Sequence, residues 1–309
     1  MARLQSHIFE LAENATYSEV PYLWPGLQGI WVPALNRRSF DKEQDGNSIQ
    51  DFSTYKRHGI LKCTPGTSQP TWERNGDSLT GWWLRFTGSG SGSTGEYIKI
   101  GKFALPGRAG GHPGITMSCR VEVDGSTPSD MRFMTQQSST ATNNHMWMMG
   151  TSPATTLRTR IAPDDANNTY TDTTAAIVEA NVPHHYAATL NPVDGDVRHY
   201  LDGVLKGTYA HTDGVGVKQD ATRWSRLGRG GSTTEDGDGY GTMDGACDYW
   251  ALWNRALSDS EMAEFHLDPL AMLRRRKLAV RGGWQAAAAP EGGDSPWYQY
   301  NQELLAGGT

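Results

Sequence analysis

Cysteine, net positive charge and long apolar runs are what this 309-residue chain has least of. Its cysteines, Cys63, Cys119 and Cys247, form an odd and widely separated set. That excludes a disulfide framework and a Cys-x-x-Cys metal knuckle, and suits a reducing compartment. Charged residues make up only 20% of the chain, and the formal net charge is −6. A dedicated nucleic-acid binder would need a basic surface instead. No stretch approaches the roughly 18 consecutive apolar residues of a membrane span. The opening MARLQSHIFELAEN also lacks the apolar core of a secretory signal, so the expectation is a soluble protein made in a cytoplasm and not exported by a cleaved leader.

Turn-forming residues are abundant, with 36 Gly and 15 Pro. Asp-Gly or Asn-Gly steps recur at Asp45-Gly46, Asn75-Gly76, Asp124-Gly125, Asp194-Gly195, Asp202-Gly203, Asp213-Gly214, Asp236-Gly237 and Asp244-Gly245. Each supplies the positive φ that tight turns require. Between them lie strand-like runs. In 115–123, Ile115, Met117, Cys119, Val121 and Val123 share one face, while Thr116, Ser118, Arg120 and Glu122 take the other. Further runs fall at 96–100, 131–135, 145–149, 157–161, 185–190, 197–201 and 248–253, and 197–201 should pair with 204–209 as a hairpin across Asp202-Gly203. Helical periodicity is nearly absent before residue 258. The class is all-β: a two-sheet antiparallel sandwich or jelly roll.

One helix is signalled near the end. Ser258 and Glu261 form a Ser-x-x-Glu capping box, Leu257 and Met262 form a hydrophobic staple, and Pro269 should stop the helix near Asp268. After it come Leu270 to Leu273, the basic cluster Arg274, Arg275, Arg276 and Lys277, and an Ala/Gly/Pro tail with Trp284, Trp297, Tyr298 and Tyr300.

The order of the segments resembles the LamG-like jelly roll of the concanavalin A-like lectin/glucanase fold. PGLQGIWVPALN and QDFSTYKRHGIL are similar to the family's opening strand and its Asp-x-Ser loop. GWWLRFTGSGSGSTGEYIKIG, GITMSCRVEV and PHHYAATLNPVDGDVRHYLDGVLKGTY match its central strands and hairpin, and GACDYWALWNRALSDSEMAEFHLDP its closing strand and short helix. The basic start and the ending LDPLAMLRRRKLAV further resemble LamG-type proteins of bacteriophage virions. That implies three parts: an N-terminal arm over 1–24, a jelly roll with its closing helix over 25–269, and a C-terminal basic segment and tail over 270–309.

Catalysis has little support. The glucanases of the wider fold carry Glu-x-Asp-x-x-Glu on one strand, but Glu122-Val123-Asp124 runs into Gly125, Ser126 and Thr127 without a third carboxylate. No Gly-x-Ser-x-Gly elbow or His-Glu-x-x-His motif occurs, and His184 and His185 read as strand residues rather than a base or ligand. Lectin-like sandwiches often bind Ca²⁺, and Asp236, Asp238, Asp244 and Asp248 are the candidate ligands here, although the loop is not an EF-hand. Asp51 also stands where the family keeps an Asp, with Arg57 replacing its Asn. For sugar stacking the candidates are Trp83, Trp147, Trp224 and Trp250. Alternation requires one of Trp250 and Trp253, and one of Trp82 and Trp83, to point outward.

These readings converge on a non-catalytic virion protein, a capsid decoration or tail-associated component and a homo-oligomer. Docking to other virion proteins would use Leu4, Ile8, Phe9, Leu273, Arg274, Arg275, Arg276, Trp297 and Tyr300. The alternative is an adhesin for host glycans, and a glycoside hydrolase ranks below both.

Overall fold

In a computed structural model, the described residues are 18–38, 47–63, 68–74, 81–88, 95–105, 114–125, 130–137, 145–152, 155–161, 169–172, 177–210, 224–230 and 241–274. In chain order the elements are β1 (Leu27–Trp31), α1 (Pro33–Arg38), β2 (Ser48–Ile49), β3 (Gly59–Cys63), β4 (Thr71–Arg74), β5 (Trp82–Phe86), β6 (Glu96–Lys102), β7 (Ile115–Val123) and β8 (Arg132–Gln137). There follow β9 (His145–Ser152), β10 (Thr156–Ile161), β11 (Thr169–Asp172), β12 (His184–Asn191), β13 (Asp196–Leu201), β14 (Val204–Ala210), β15 (Trp224–Leu227), β16 (Gly245–Trp253) and α2 (Asp259–Leu267).

The strands form two sheets. The first has the order β14-β13-β12-β7-β16-β5-β4, with β1 also paired to β16; the second has the order β11-β10-β9-β8-β15-β6-β3-β2. Among the described residues every pairing between two of these strands is antiparallel, as in a jelly-roll sandwich.

The alternation read in β7 holds. Ile115, Met117, Cys119, Val121 and Val123 enter the core between the sheets, where they join Phe133, Trp147, Ile98, Leu84 and Trp250. The β13–β14 hairpin turns on Asp202 (φ 51) and Gly203 (φ 76), the two positive φ values of a type I′ turn. A Cβ at Gly203 would sit 2.9 Å from His266 Cβ, so the turn also packs against α2.

A second apolar cluster covers the outward face of the first sheet. A register shift between Cys247 and Tyr249 lets β16 send Cys247, Trp250 and Leu252 inward, and Tyr249, Ala251 and Trp253 outward. Met262 and Phe265 of α2 close over the outward set, together with Leu23, Trp24, Met272 and Leu273. Phe265 meets Trp253 and Tyr249 edge-on, with ring centres 5.0 and 5.5 Å apart. Helix α2 begins as its sequence indicates. The Ser258 side chain accepts from Glu261 N–H, and Glu261 reaches back to Ser258 N–H.

The ends therefore differ from the expected free arms. Trp24 Nε1 and Ser18 Oγ both donate to Met272 O at 2.8 Å, Trp253 Nε1 donates to Leu23 O at 2.8 Å, and Glu19 N–H donates to Arg274 O at 3.1 Å. Residues 18–24 and 270–274 belong to the sandwich, which moves both expected boundaries outward. The chain divides into a unit Met1–Arg276, which holds all the described residues, and a unit Lys277–Thr309, which lies outside them. The six-residue helix α1, packed against β5, was not signalled by periodicity.

Candidate functional site

The carboxylates that raised the hydrolase question gather on the first sheet's outward face, around Arg85. Arg85 on β5 and Glu122 on β7 flank Ala246 of β16 on one row. Arg85 pairs with Glu73, Asp124 and Glu122, the last at 3.3 Å. Asp244, nearby, has its carboxyl pushed up, by burial first and then by Asp124. Glu122 and Asp124 thus neutralise a guanidinium.

The calcium set is not brought together by the described residues. Asp248 is fully buried and ion-paired with Arg120, which commits its carboxylate within the protein. Asp236 and Asp238 lie outside the described residues. Among the described residues no group of three His, Cys, Asp or Glu side chains is placed to hold a metal. Asp51 organises its loop: it accepts from Ile30 N–H, Ser53 N–H, Ser53 Oγ and Arg57 N–H at 2.7 to 2.9 Å.

The histidine pair is structural. His185 Nε2 lies 2.7 Å from Ser118 Oγ, its ring stacks on His266 at 5.4 Å, and burial pushes its pKa down to about 3. His184 Nδ1 lies 2.7 Å from Asp202.

Of the four stacking candidates, three are core residues. Trp83 and Trp250 are 0% exposed and Trp147 is 1% exposed. Trp147 and Trp250 fill the space between the sheets, with their indole N–H groups bonded to Gln136 Oε1 and Phe133 O. Trp253 does point to the opposite side from Trp250, as alternation required. It is nevertheless buried, because α2 and residues 23–24 cover that side. Trp83 is likewise on the outward face, on a strand that α1 packs against.

Trp224 is different. It is half-buried and opens β15 on the outward face of the second sheet, flanked by the ammonium groups of Lys99 at 5.0 Å and Lys102 at 4.8 Å from its ring centre. On the same strand pair the Tyr97 ring contacts two guanidiniums, Arg226 at 4.5 Å and Arg229 at 5.4 Å from its centre. The register explains this meeting. Trp224 pairs with Lys102, Arg226 with Lys99, and Lys62 with Tyr97, while Leu227, Ile98 and Leu61 face inward. Exposure rises along the strip, from fully buried Arg226 and Arg229 to exposed Lys102. Only Trp224 was named from sequence. The alternation Tyr97, Lys99 against Ile98, Ile100 was legible, but the pairing of β6 with β15 was not.

Of the expected docking residues, Leu273 is 1% exposed within its own chain, and Arg274 pairs with Asp268 and with Glu19 at 2.8 Å. Leu4, Ile8, Phe9, Arg275, Arg276, Trp297 and Tyr300 lie outside the described residues.

Fold and site define a lectin-like jelly roll. A family model described as the concanavalin A-like lectin/glucanases superfamily, of the laminin G type, matches residues 77–263, more than half of the chain. The chain belongs to this family. Among solved structures it is similar to the binding domain of botulinum neurotoxin serotype C1, with TM-score 0.51 and 9% identity over 78% of this chain and 51% of that one. It is also similar to the botulinum neurotoxin serotype D ligand binding domain in complex with N-acetylneuraminic acid, with TM-score 0.50 and 10% identity over 83% of this chain and 52% of that one. At such identity the likeness concerns the fold. The chain spans about half the length of these structures. No curated protein sequence matches it.

Proposed function

We propose that this chain is a non-catalytic binding module for carbohydrate. The observation that carries this reading is Trp224, an aromatic face left half-exposed beside polar donors on a sheet surface, where the other stacking candidates are core. An indole of this kind offers a flat apolar surface to the C–H face of a pyranose, and the neighbouring ammonium groups supply orientation. Family membership supports a lectin-like role. The ion pairs that occupy Glu122 and Asp124 support a protein without hydrolase activity. The similarity to toxin binding domains, one of them solved with a sugar acid, fits the same class.

The test is a glycan array with the intact protein and Trp224→Ala. Reproducible binding at micromolar strength that is lost in the variant supports the reading, and an array without binding overturns it. Sugar release that disappears in Glu122→Gln would replace it with a glucanase. A virion role, with the module facing outward, rests now on residues outside the described part, since Ser18–Trp24 and Leu270–Arg274 are committed to their own sheet. Particle occupancy after deletion of 1–17 and 275–309 tests that attachment.

A further inference from the structure

Resting on the carbohydrate reading, we infer that the Trp224 surface continues across β6 onto β3 and the loop that leads into it, so that its ligand is an oligosaccharide rather than a single sugar. The strand register sets the distance. Lys99 of β6 is paired with Arg226 of β15 on one side and with Ile60 of β3 on the other, and Trp224 pairs with Lys102 farther along the same face. Two strand spacings and two residues of rise put the Cα atoms of Trp224 and Ile60 about 12 Å apart. One pyranose cannot reach both. Leu61 enters the core, and Ile60 alternates to the outward face, where it is 47% exposed.

The loop ahead of β3 holds a second aromatic ring on a rigid support. Buried Asp51 fixes it from within, accepting from the N–H groups of Ser53 and Arg57 at 2.8 Å. Between them Lys56 has φ 52, a left-handed conformation uncommon outside glycine, and such strain persists only where the surroundings impose it. The Arg57 guanidinium lies 4.3 Å from the centre of the Tyr55 ring and 4.1 Å from that of Phe103, the residue after Lys102, and its Nη1 donates to Gln28 O at 2.7 Å. Tyr55 is thereby anchored to the core yet stays 46% exposed. Exposed His58 accepts from Asp51 N–H through Nδ1 at 3.1 Å, which leaves Nε2 as the N–H donor of the neutral ring. A single exposed apolar side chain signals nothing, but Tyr55, Ile60 and Trp224 gather around the C-terminal half of β6. Groups preset in this way lose little freedom when a glycan binds.

The inference is tested on the intact protein by titration calorimetry with the best array glycan cut to its terminal monosaccharide, its disaccharide and longer fragments, the weakest read by competition. Wild type is compared with Tyr55→Ala, Ile60→Gln and the double variant, with folding checked by the urea midpoint and Leu267→Gln, on exposed α2 surface, as the control. The expected result is a gain of about tenfold or more from monosaccharide to longer fragments in wild type and control, reduced by each single variant and lost in the double one, whose monosaccharide affinity stays within about twofold of wild type. Affinity that does not grow with length, or growth that survives in the double variant, overturns the inference and leaves the carbohydrate reading standing. An equal loss at every length means that the loop acts on Trp224 itself, and also overturns it. Failure of every sugar removes both readings.

Discussion

On the first sheet the outward row of Tyr249, Ala251 and Trp253 meets Phe265, Met262, Trp24 and Leu273, and nothing of it reaches solvent. On the second sheet the outward row of β6 and β15 holds Tyr97, Lys99, Trp224 and Arg226, graded toward exposed Lys102. Both rows are built from the same alternating pattern. The first is a third layer of core, in which each well-buried large apolar side chain contributes about 1.5–3 kcal/mol. The second sets cationic side chains against the rings of Trp224 and Tyr97. Trp147 and Trp250 point into the sandwich, whereas Trp83 shows the other case: pointing away from the sandwich interior does not mean pointing into water.

The comparison can be broken most directly at Phe265. Its replacement by Ala should cost about 3–5 kcal/mol in urea denaturation, because the ring touches Trp253, Tyr249 and His185 in the sealed layer. A loss below about 1 kcal/mol would mean that α2 is not what closes this face.

Next in size is acid sensitivity. His185 has its pKa lowered from 6.5 to about 3, by burial and then by His266, and His266 is lowered in the same direction. Arg120 acts in the same sense and Asp202 opposes it. The folded state keeps the neutral ring, so its contribution is whole above pH 6.5 and is lost as pH falls from 6.5 toward 3, where the unfolded chain binds the proton first. The melting temperature should therefore drop across that window, and less steeply in His185→Gln. Parallel profiles would remove His185 as the cause.

Ser258→Ala should destabilise by about 1 kcal/mol through loss of the α2 cap, read in the same denaturation experiment. Lys102→Gln on the opposite face should change stability by less than about 0.5 kcal/mol, which sharpens the contrast, since Lys102 is exposed. A larger stability change would make the cation strip structural.

Much of the architecture was legible in the chain. The β7 alternation, the Asp202-Gly203 hairpin and the capping box of α2 are local signals, and each is found where the sequence put it. What stayed hidden depends on contacts between distant residues. Trp24 and Met272 are 248 positions apart, yet one hydrogen bond joins them, and no periodicity announces it. The ends were therefore read as free arms. Asp248 looked like a metal ligand until Arg120 was found beside it, 128 positions away in sequence. The strip around Trp224 forms only when β15 lies on β6, a pairing no local pattern encodes.

The seam between Glu19 and Arg274 brings the entry and exit of the sandwich to one doorway. A domain with such a doorway can be threaded into a longer polypeptide as an insert, or reopened elsewhere and rejoined there by a short bridge, without unzipping a strand. The exposed turn at Val193, 89% accessible, offers a natural new opening for such a permutation.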